Sequence, residues 1–169
     1  MVTLLALTLA AVVASPVQAA AREHPCERPP YRAFDFWLGT WEVFDASGEK
    51  AGDNRITREQ DGCLLLESWR GRGGGTGQSQ NFYDPVGDHW RQVWVSPGVI
   101  IDIQGGVHAA SMVLVGDITY LASGERFPFR GMWTPLPDGR VRQFFEESRV
   151  PGQWTAWFEG FYQRAERQP

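Results

Sequence analysis

From about residue 36 onward, apolar and polar residues alternate in short runs, and each run ends at Gly, Pro, Asp or Asn. A period of two is strand spacing, because successive strand side chains point to opposite faces. Ten runs are predicted as strands: residues 37–44, 54–59, 63–70, 78–83, 89–95, 99–104, 111–119, 126–133, 140–148 and 154–164. Turn chemistry separates them, as in Asp45-Ala46-Ser47-Gly48, Asp61-Gly62, Ser96-Pro97-Gly98, Gly105-Gly106 and Pro151-Gly152. The one helical candidate is a short turn over residues 30–35. The predicted fold class is therefore all-β. Nearly every connection is of hairpin length, which favours an up-and-down antiparallel β-barrel of roughly ten strands over a sandwich with longer Greek-key crossovers. Closure also removes exposed sheet edges. The glycine-rich segment Gly71-Arg72-Gly73-Gly74-Gly75-Thr76-Gly77 contains a GxGxxG-like spacing. A dinucleotide loop needs a helix after it, and here another strand follows, so the segment reads as a flexible hairpin at a barrel rim.

The same alternation assigns an interior face. Trp41 inward carries Trp37, Gly39 and Val43 with it. Glu67 and Trp69 follow from the third strand, Ser79, Asn81 and Tyr83 from the fourth, and Trp90, Gln92 and Trp94 from the fifth. Trp133 comes from the eighth, Gln143, Phe145 and Glu147 from the ninth, and Trp154, Phe158 and Tyr162 from the last. Aromatics mixed with amides and carboxylates suit a ligand pocket, which is mostly apolar with a few convergent polar groups. The predicted ligand-binding set is Glu67, Trp69, Ser79, Asn81, Tyr83, Gln92, Trp94, Trp133, Gln143, Glu147 and Tyr162. A register slip of one residue flips a strand. Arg91, Arg130 and Arg142 would then point inward and suit a carboxylate ligand.

Composition narrows the function classes. A net charge of −4 and a pI near 5.4 argue against nucleic-acid binding, which needs a clustered basic surface. Leu4 to Ala14 is apolar but too short to span a bilayer, and Val17-Gln18-Ala19 is a small-residue cleavage pattern. Residues 1–19 are thus expected to be a signal peptide, although Met1-Val2-Thr3 lacks the usual basic residue. A Pro-rich lead-in over 20–35, a barrel over 36–164 and a frayed tail over 165–169 follow. No membrane span is expected after cleavage, and the expected location is secreted or periplasmic. Two cysteines in an exported chain predict a disulfide between Cys26 and Cys63, pinning a lead-in without secondary structure to the barrel.

Asp35-Phe36-Trp37-Leu38-Gly39-Thr40-Trp41-Glu42-Val43 resembles the opening of lipocalins and other calycin barrels, through Gly39-x-Trp41. That resemblance implies a Trp plugging the closed end and a basic residue of the last strand across its face, here Arg164. The longer pattern, from FDFWLGTW through DGCLLLESWRG, NFYDP, HWRQVWV and MWTPLPDGRVRQ to FEGFYQR, resembles small exported bacterial proteins of uncharacterised function. It implies a fold and no reaction.

The leading expectation is non-catalytic binding of a small, partly apolar molecule in the barrel. An alternative is a small-molecule hydrolase or isomerase with Glu67 or Glu147 as the acid–base group. A second is a haem-binding barrel, for which His108 is the one possible ligand, His24 and His89 being poorly placed. A structural barrel with partners at its rim would have a filled interior. No metal site or cofactor is expected, since no nucleophile elbow, HExxH or zinc CxxC pair occurs.

Overall fold

The computed structural model describes residues 25–165, so the expected signal peptide and most of the tail lie outside the described residues. Ten antiparallel strands close into one barrel, each paired with its neighbours in sequence and the first with the last. They are β1 (Gly39–Phe44), β2 (Lys50–Glu59), β3 (Leu64–Gly71), β4 (Thr76–Asp84), β5 (His89–Val95), β6 (Val99–His108), β7 (Ser111–Tyr120), β8 (Arg126–Pro135), β9 (Val141–Val150) and β10 (Gln153–Arg164). The expected all-β meander is thus a lipocalin-like closed barrel. Inward positions are buried, as in the Trp90/Gln92 and Val141/Gln143/Phe145 alternations.

The outward positions settle the register. Arg91 pairs with Asp102, Arg130 with Glu146 and Arg142 with Glu159, all partly exposed on the outer wall. None of these arginines enters the interior, so the one-residue slip does not occur in those strands. A band of ion pairs is also the opposite of the apolar belt that a membrane-spanning barrel turns to lipid. Among the described residues no helix is long and apolar enough to cross a membrane.

One end of the barrel is plugged by the residues before β1. The lead-in does have secondary structure: a 3-10 turn at Pro25–Glu27, a one-turn helix α1 (Pro29–Arg32) and a second 3-10 turn at Asp35–Trp37. Trp37 therefore precedes the first strand instead of belonging to it. Phe34 and Trp37 are fully buried and packed face to face with ring centroids 5.0 Å apart. Phe34 also meets Trp90 and Trp133 edge-on at 5.6 and 5.2 Å. Burying aromatic rings of this size is worth several kcal/mol in aggregate, on the order of 2–3 kcal/mol each. Cys26 is bonded to Cys63 with Cα atoms 5.0 Å apart, which anchors the plug to the start of β3. Such a bond fits an oxidising, extracytoplasmic compartment.

Trp41 stands at the β1–β10 seam opposite Arg164. The guanidinium lies 3.9 Å from the Trp41 ring centroid, and Arg164 Nη1 donates to the Leu38 carbonyl at 2.6 Å. Gly39 is required beneath it: its φ is +139°, and a Cβ there would overlap Arg164 Nη1. The Gly-x-Trp spacing and the closing arginine are one steric unit, joining the first and last strands.

Three local expectations are corrected. Gly105-Gly106 is not a turn, because β6 runs on to His108 and the chain reverses at Ala109, with φ +53°. Gly105 is glycine for space, since a Cβ would strike the Val113 carbonyl of β7. Trp154 is not inward. The β10–β9 pairing shifts between Ala156 and Phe158, so Trp157 is an inserted residue and inward parity changes beyond it. Trp154 therefore lies outside, with the Arg130 guanidinium 4.3 Å over its ring. The glycine-rich segment is a shorter loop than its composition suggests, since Gly71 and Gly77 are strand residues and the Gly71 N–H donates to the Gly75 carbonyl at 2.8 Å.

Candidate functional site

The interior has three tiers from plug to mouth. The lowest is apolar, with Phe34, Trp37, Ile56, Leu65, Trp90 and Trp133. The middle tier is polar and buried: Asn54, Glu67, Ser79, Asn81, Gln92 and Gln143, with the Tyr162 hydroxyl. The upper tier is aromatic, with Trp69, Trp94, Phe145, Phe158 and the inserted Trp157. A cavity of about 150 Å³ lies above the polar tier, with Glu67, Gln92, Gln143 and Tyr162 in its floor and the aromatics and Ile101 in its walls.

Glycine makes room for the upper tier. A Cβ at Gly52 would meet Trp69, one at Gly77 would overlap Trp94, one at Gly131 would meet Phe145 and one at Gly160 would meet Phe158. Each ring thus lies over a bare stretch of backbone, close to the wall. Side chains at these four positions would push the rings toward the axis and close the space.

The polar tier has a fixed hydrogen-bond direction. Asn81 Nδ2 donates to the Leu65 backbone carbonyl at 3.1 Å, an acceptor that cannot reverse, so Asn81 Oδ1 must accept. It accepts from Gln92 Nε2 at 2.7 Å, which leaves Gln92 Oε1 without a partner among the described residues. Asn81 Nδ2 also donates to Ser79 Oγ at 2.8 Å, and Ser79 donates to Glu67 Oε2 at 2.6 Å. From the other side Asn54 Nδ2 donates to Glu67 Oε1 at 2.6 Å and to the Tyr162 hydroxyl at 3.0 Å. Tyr162 in turn donates to Gln143 Oε1, so Gln143 Nε2 is left for the cavity. Orientation therefore passes from a backbone carbonyl to the groups at the floor.

Glu67 is the electrostatic centre. It is 3% exposed and, among the described residues, faces no arginine, lysine or histidine across the cavity. Burial pushes its carboxyl up to about 7, although Ser79 and Asn54 oppose the rise by donating to it. Burial, reinforced by the Glu67 charge, holds the Tyr162 hydroxyl well above its usual range. Among the described residues, three side-chain polar atoms fully shut off from the cavity and from solvent have no partner: Asn54 Oδ1 and the indole nitrogens of Trp37 and Trp133. The Trp37 N–H faces the Tyr162 hydroxyl but falls short of hydrogen-bond geometry.

The expected ligand residues divide by depth. Glu67, Trp69, Gln92, Trp94, Gln143 and Tyr162 border the cavity together. Ser79 and Asn81 stand behind Glu67 and orient it. Trp133 belongs to the lowest tier, against Phe34, Trp37 and Phe145. Tyr83 is at the plugged end, bonded to Asp88 and edge-on to Tyr31. Glu147 is at the mouth, where it accepts from Tyr120 at 2.7 Å and pairs with Arg149 at 2.8 Å. Glu67 and Glu147 are not brought together. His108 is exposed at the plugged-end β6–β7 turn, and neither it nor His89 borders the cavity. His24 lies outside the described residues.

Two participants are missing from the set expected from the sequence. Asn54 is one, although the alternation Gly52, Asn54, Ile56 in β2 points it inward. Trp157 is the other, because a bulge leaves no mark on simple alternation. The chain matches no protein-family model and no curated protein.

Proposed function

We propose that this barrel is an exported binding protein for a small, partly apolar molecule held above the Glu67 floor. The observation that carries it is an aromatic-walled cavity ending on a pre-oriented polar tier. A core built for stability alone would seldom bury a carboxyl without a countercharge. The volume sets the size: a cavity near 150 Å³ accommodates a molecule about as large as benzene, well below the ~300–1,000 Å³ of drug-sized pockets. Long fatty acids and tetrapyrroles exceed it. The Cys26–Cys63 bond supports export, and the expected signal peptide and the resemblance to small exported bacterial barrels belong to the same reading.

Tryptophan fluorescence tests the proposal, because Trp69, Trp94 and Trp157 line the space. Titration with single-ring aromatics should give a saturable change that a Trp94→Ala variant weakens. A flat response to every single-ring compound would refute it.

One observation favours a second reading. A carboxyl that titrates near 7 suits general acid–base catalysis at neutral pH. In that case Glu67 moves a proton on a small substrate, and Glu147 has no part in it. Turnover of a bound compound that persists in Glu67→Gln would remove this reading.

A further inference from the structure

We propose that the cavity takes a primary organic ammonium ion on a single-ring or similarly small apolar group, with its charge against Glu67. This rests on the reading of the barrel as a binding protein and names the ligand class.

Charge is the first ground. Among the described residues, Glu67 and Tyr162 are the titratable groups bordering the cavity, and no basic side chain does so. The arginines of neighbouring strands are committed outside, Arg91 to Asp102, Arg130 to Glu146 and Arg142 to Glu159. An anionic ligand would find no countercharge and would meet a carboxylate. A neutral ligand would leave that carboxylate unpaired. A cation supplies the missing partner, and the carboxyl has already been taken out of water by folding.

Hydrogen bonding is the second ground. Each Glu67 oxygen accepts one bond from the chain and keeps a further lone pair. Gln92 Oε1 faces the same space with no partner, because Asn81 fixes its amide the other way round. Three acceptor positions therefore border one floor, against one donor, Gln143 Nε2. An ammonium group carries three N–H donors and no acceptor. Above it, Trp69, Trp94 and Trp157 offer ring surfaces that attract a cation and bury an apolar tail.

The groups facing Glu67 are Asn54 from β2, Ser79 from β4, Gln92 from β5, Gln143 from β9 and Tyr162 from β10. Of these Tyr162 alone titrates, and it stays protonated at neutral pH. Cation binding below the Glu67 midpoint must therefore expel the Glu67 proton.

The test is calorimetric titration of the protein with benzylamine, benzyl alcohol and benzoate, which share one ring and differ in charge. At about pH 8 benzylamine should bind roughly tenfold tighter than benzyl alcohol, since charge-assisted bonds are about twice as strong as neutral ones. Benzoate should not bind. At about pH 6, buffers of different ionisation enthalpy should reveal close to one proton released per benzylamine bound. Glu67→Gln should bring amine and alcohol to equal affinity, and if that variant does not fold, the wild-type ratio and proton count still decide. Alcohol or benzoate binding as tightly as the amine, or amine binding without proton release, overturns the cation assignment and leaves the binding reading standing. No binding by any of the three overturns both.

Discussion

Replacing Glu67 by Gln should make this protein more stable at alkaline pH and less stable at acid pH. In the folded chain the Glu67 carboxyl titrates at about 7, against an ordinary value of 4.5. Between those values the folded protein holds a proton that the unfolded chain has released. Stability must then fall as pH rises through that window, and the loss is complete above it. At 1.36 kcal/mol per pH unit the gap is worth about 3 kcal/mol for a fully buried group. The amide of the variant cannot ionise and escapes that loss. It still accepts from Asn54, but its nitrogen now faces Ser79, whose hydroxyl has lost its acceptor. That local mismatch costs about 1 kcal/mol and does not vary with pH. Glu67→Gln should therefore be about 1 kcal/mol less stable than wild type near pH 4 and about 2 kcal/mol more stable near pH 8. Urea unfolding of both proteins across this range gives the difference directly, because all other titrating groups cancel. A difference curve that is flat, or that slopes the other way, would refute the assignment of Glu67 as a buried carboxyl without a countercharge.

Two further outcomes follow. Reduction of the Cys26–Cys63 bond should lower stability by about 4 kcal/mol in the chain-entropy treatment for a separation of 37 residues, and the loss should appear in denaturant midpoints measured with and without reductant. Gly77→Ala should displace Trp94 from the β4 wall, shift the tryptophan emission and weaken single-ring ligands at least about tenfold, while leaving the buried lower tier and most of the stability intact.

The fold was legible because its signals are local. Period-two alternation and hairpin-length breaks specify antiparallel neighbours, and ten of them in sequence leave closure as the simplest way to satisfy two edges. The interior was legible wherever alternation ran unbroken, as at Trp90–Gln92–Trp94 and Glu67–Trp69. It failed at Trp154, where one inserted residue reverses parity without any change in composition. Depth along the axis was not legible at all. Tyr83, Ser79 and Glu67 all carry inward parity, yet one lies at the plugged end, one behind the floor and one on it, because depth depends on the stagger between strands. The plug was missed for a related reason. Phe34 reads as part of a Pro-rich lead-in, and only the closed barrel supplies the aromatic socket of Trp37, Trp90 and Trp133 that buries it.

The polar tier is costly in a way that bears on why it is there. Asn54 Oδ1 in that tier, with Trp37 Nε1 and Trp133 Nε1 in the tier below it, are buried without partners at about 1–3 kcal/mol each, and Glu67 adds its own burial cost at neutral pH. Apolar residues of similar volume at these positions would remove those costs, as buried polar groups in other cores can be replaced without loss of stability. The expense falls at two adjacent depths, the polar tier and the apolar tier beneath it. The carboxyl itself lies directly beneath the cavity, and the hydrogen bonds behind it have a fixed sense: Asn81 donates to the Leu65 carbonyl and to Ser79, accepts from Gln92, and Ser79 donates to Glu67. A chain of bonds with a fixed direction holds its terminal groups in place before anything binds, which spares a ligand the ordering cost that otherwise reduces affinity. Structural filler has no use for such pre-orientation. The position and polarity of the tier fit a barrel that gives up stability beneath its cavity to hold a few acceptors still.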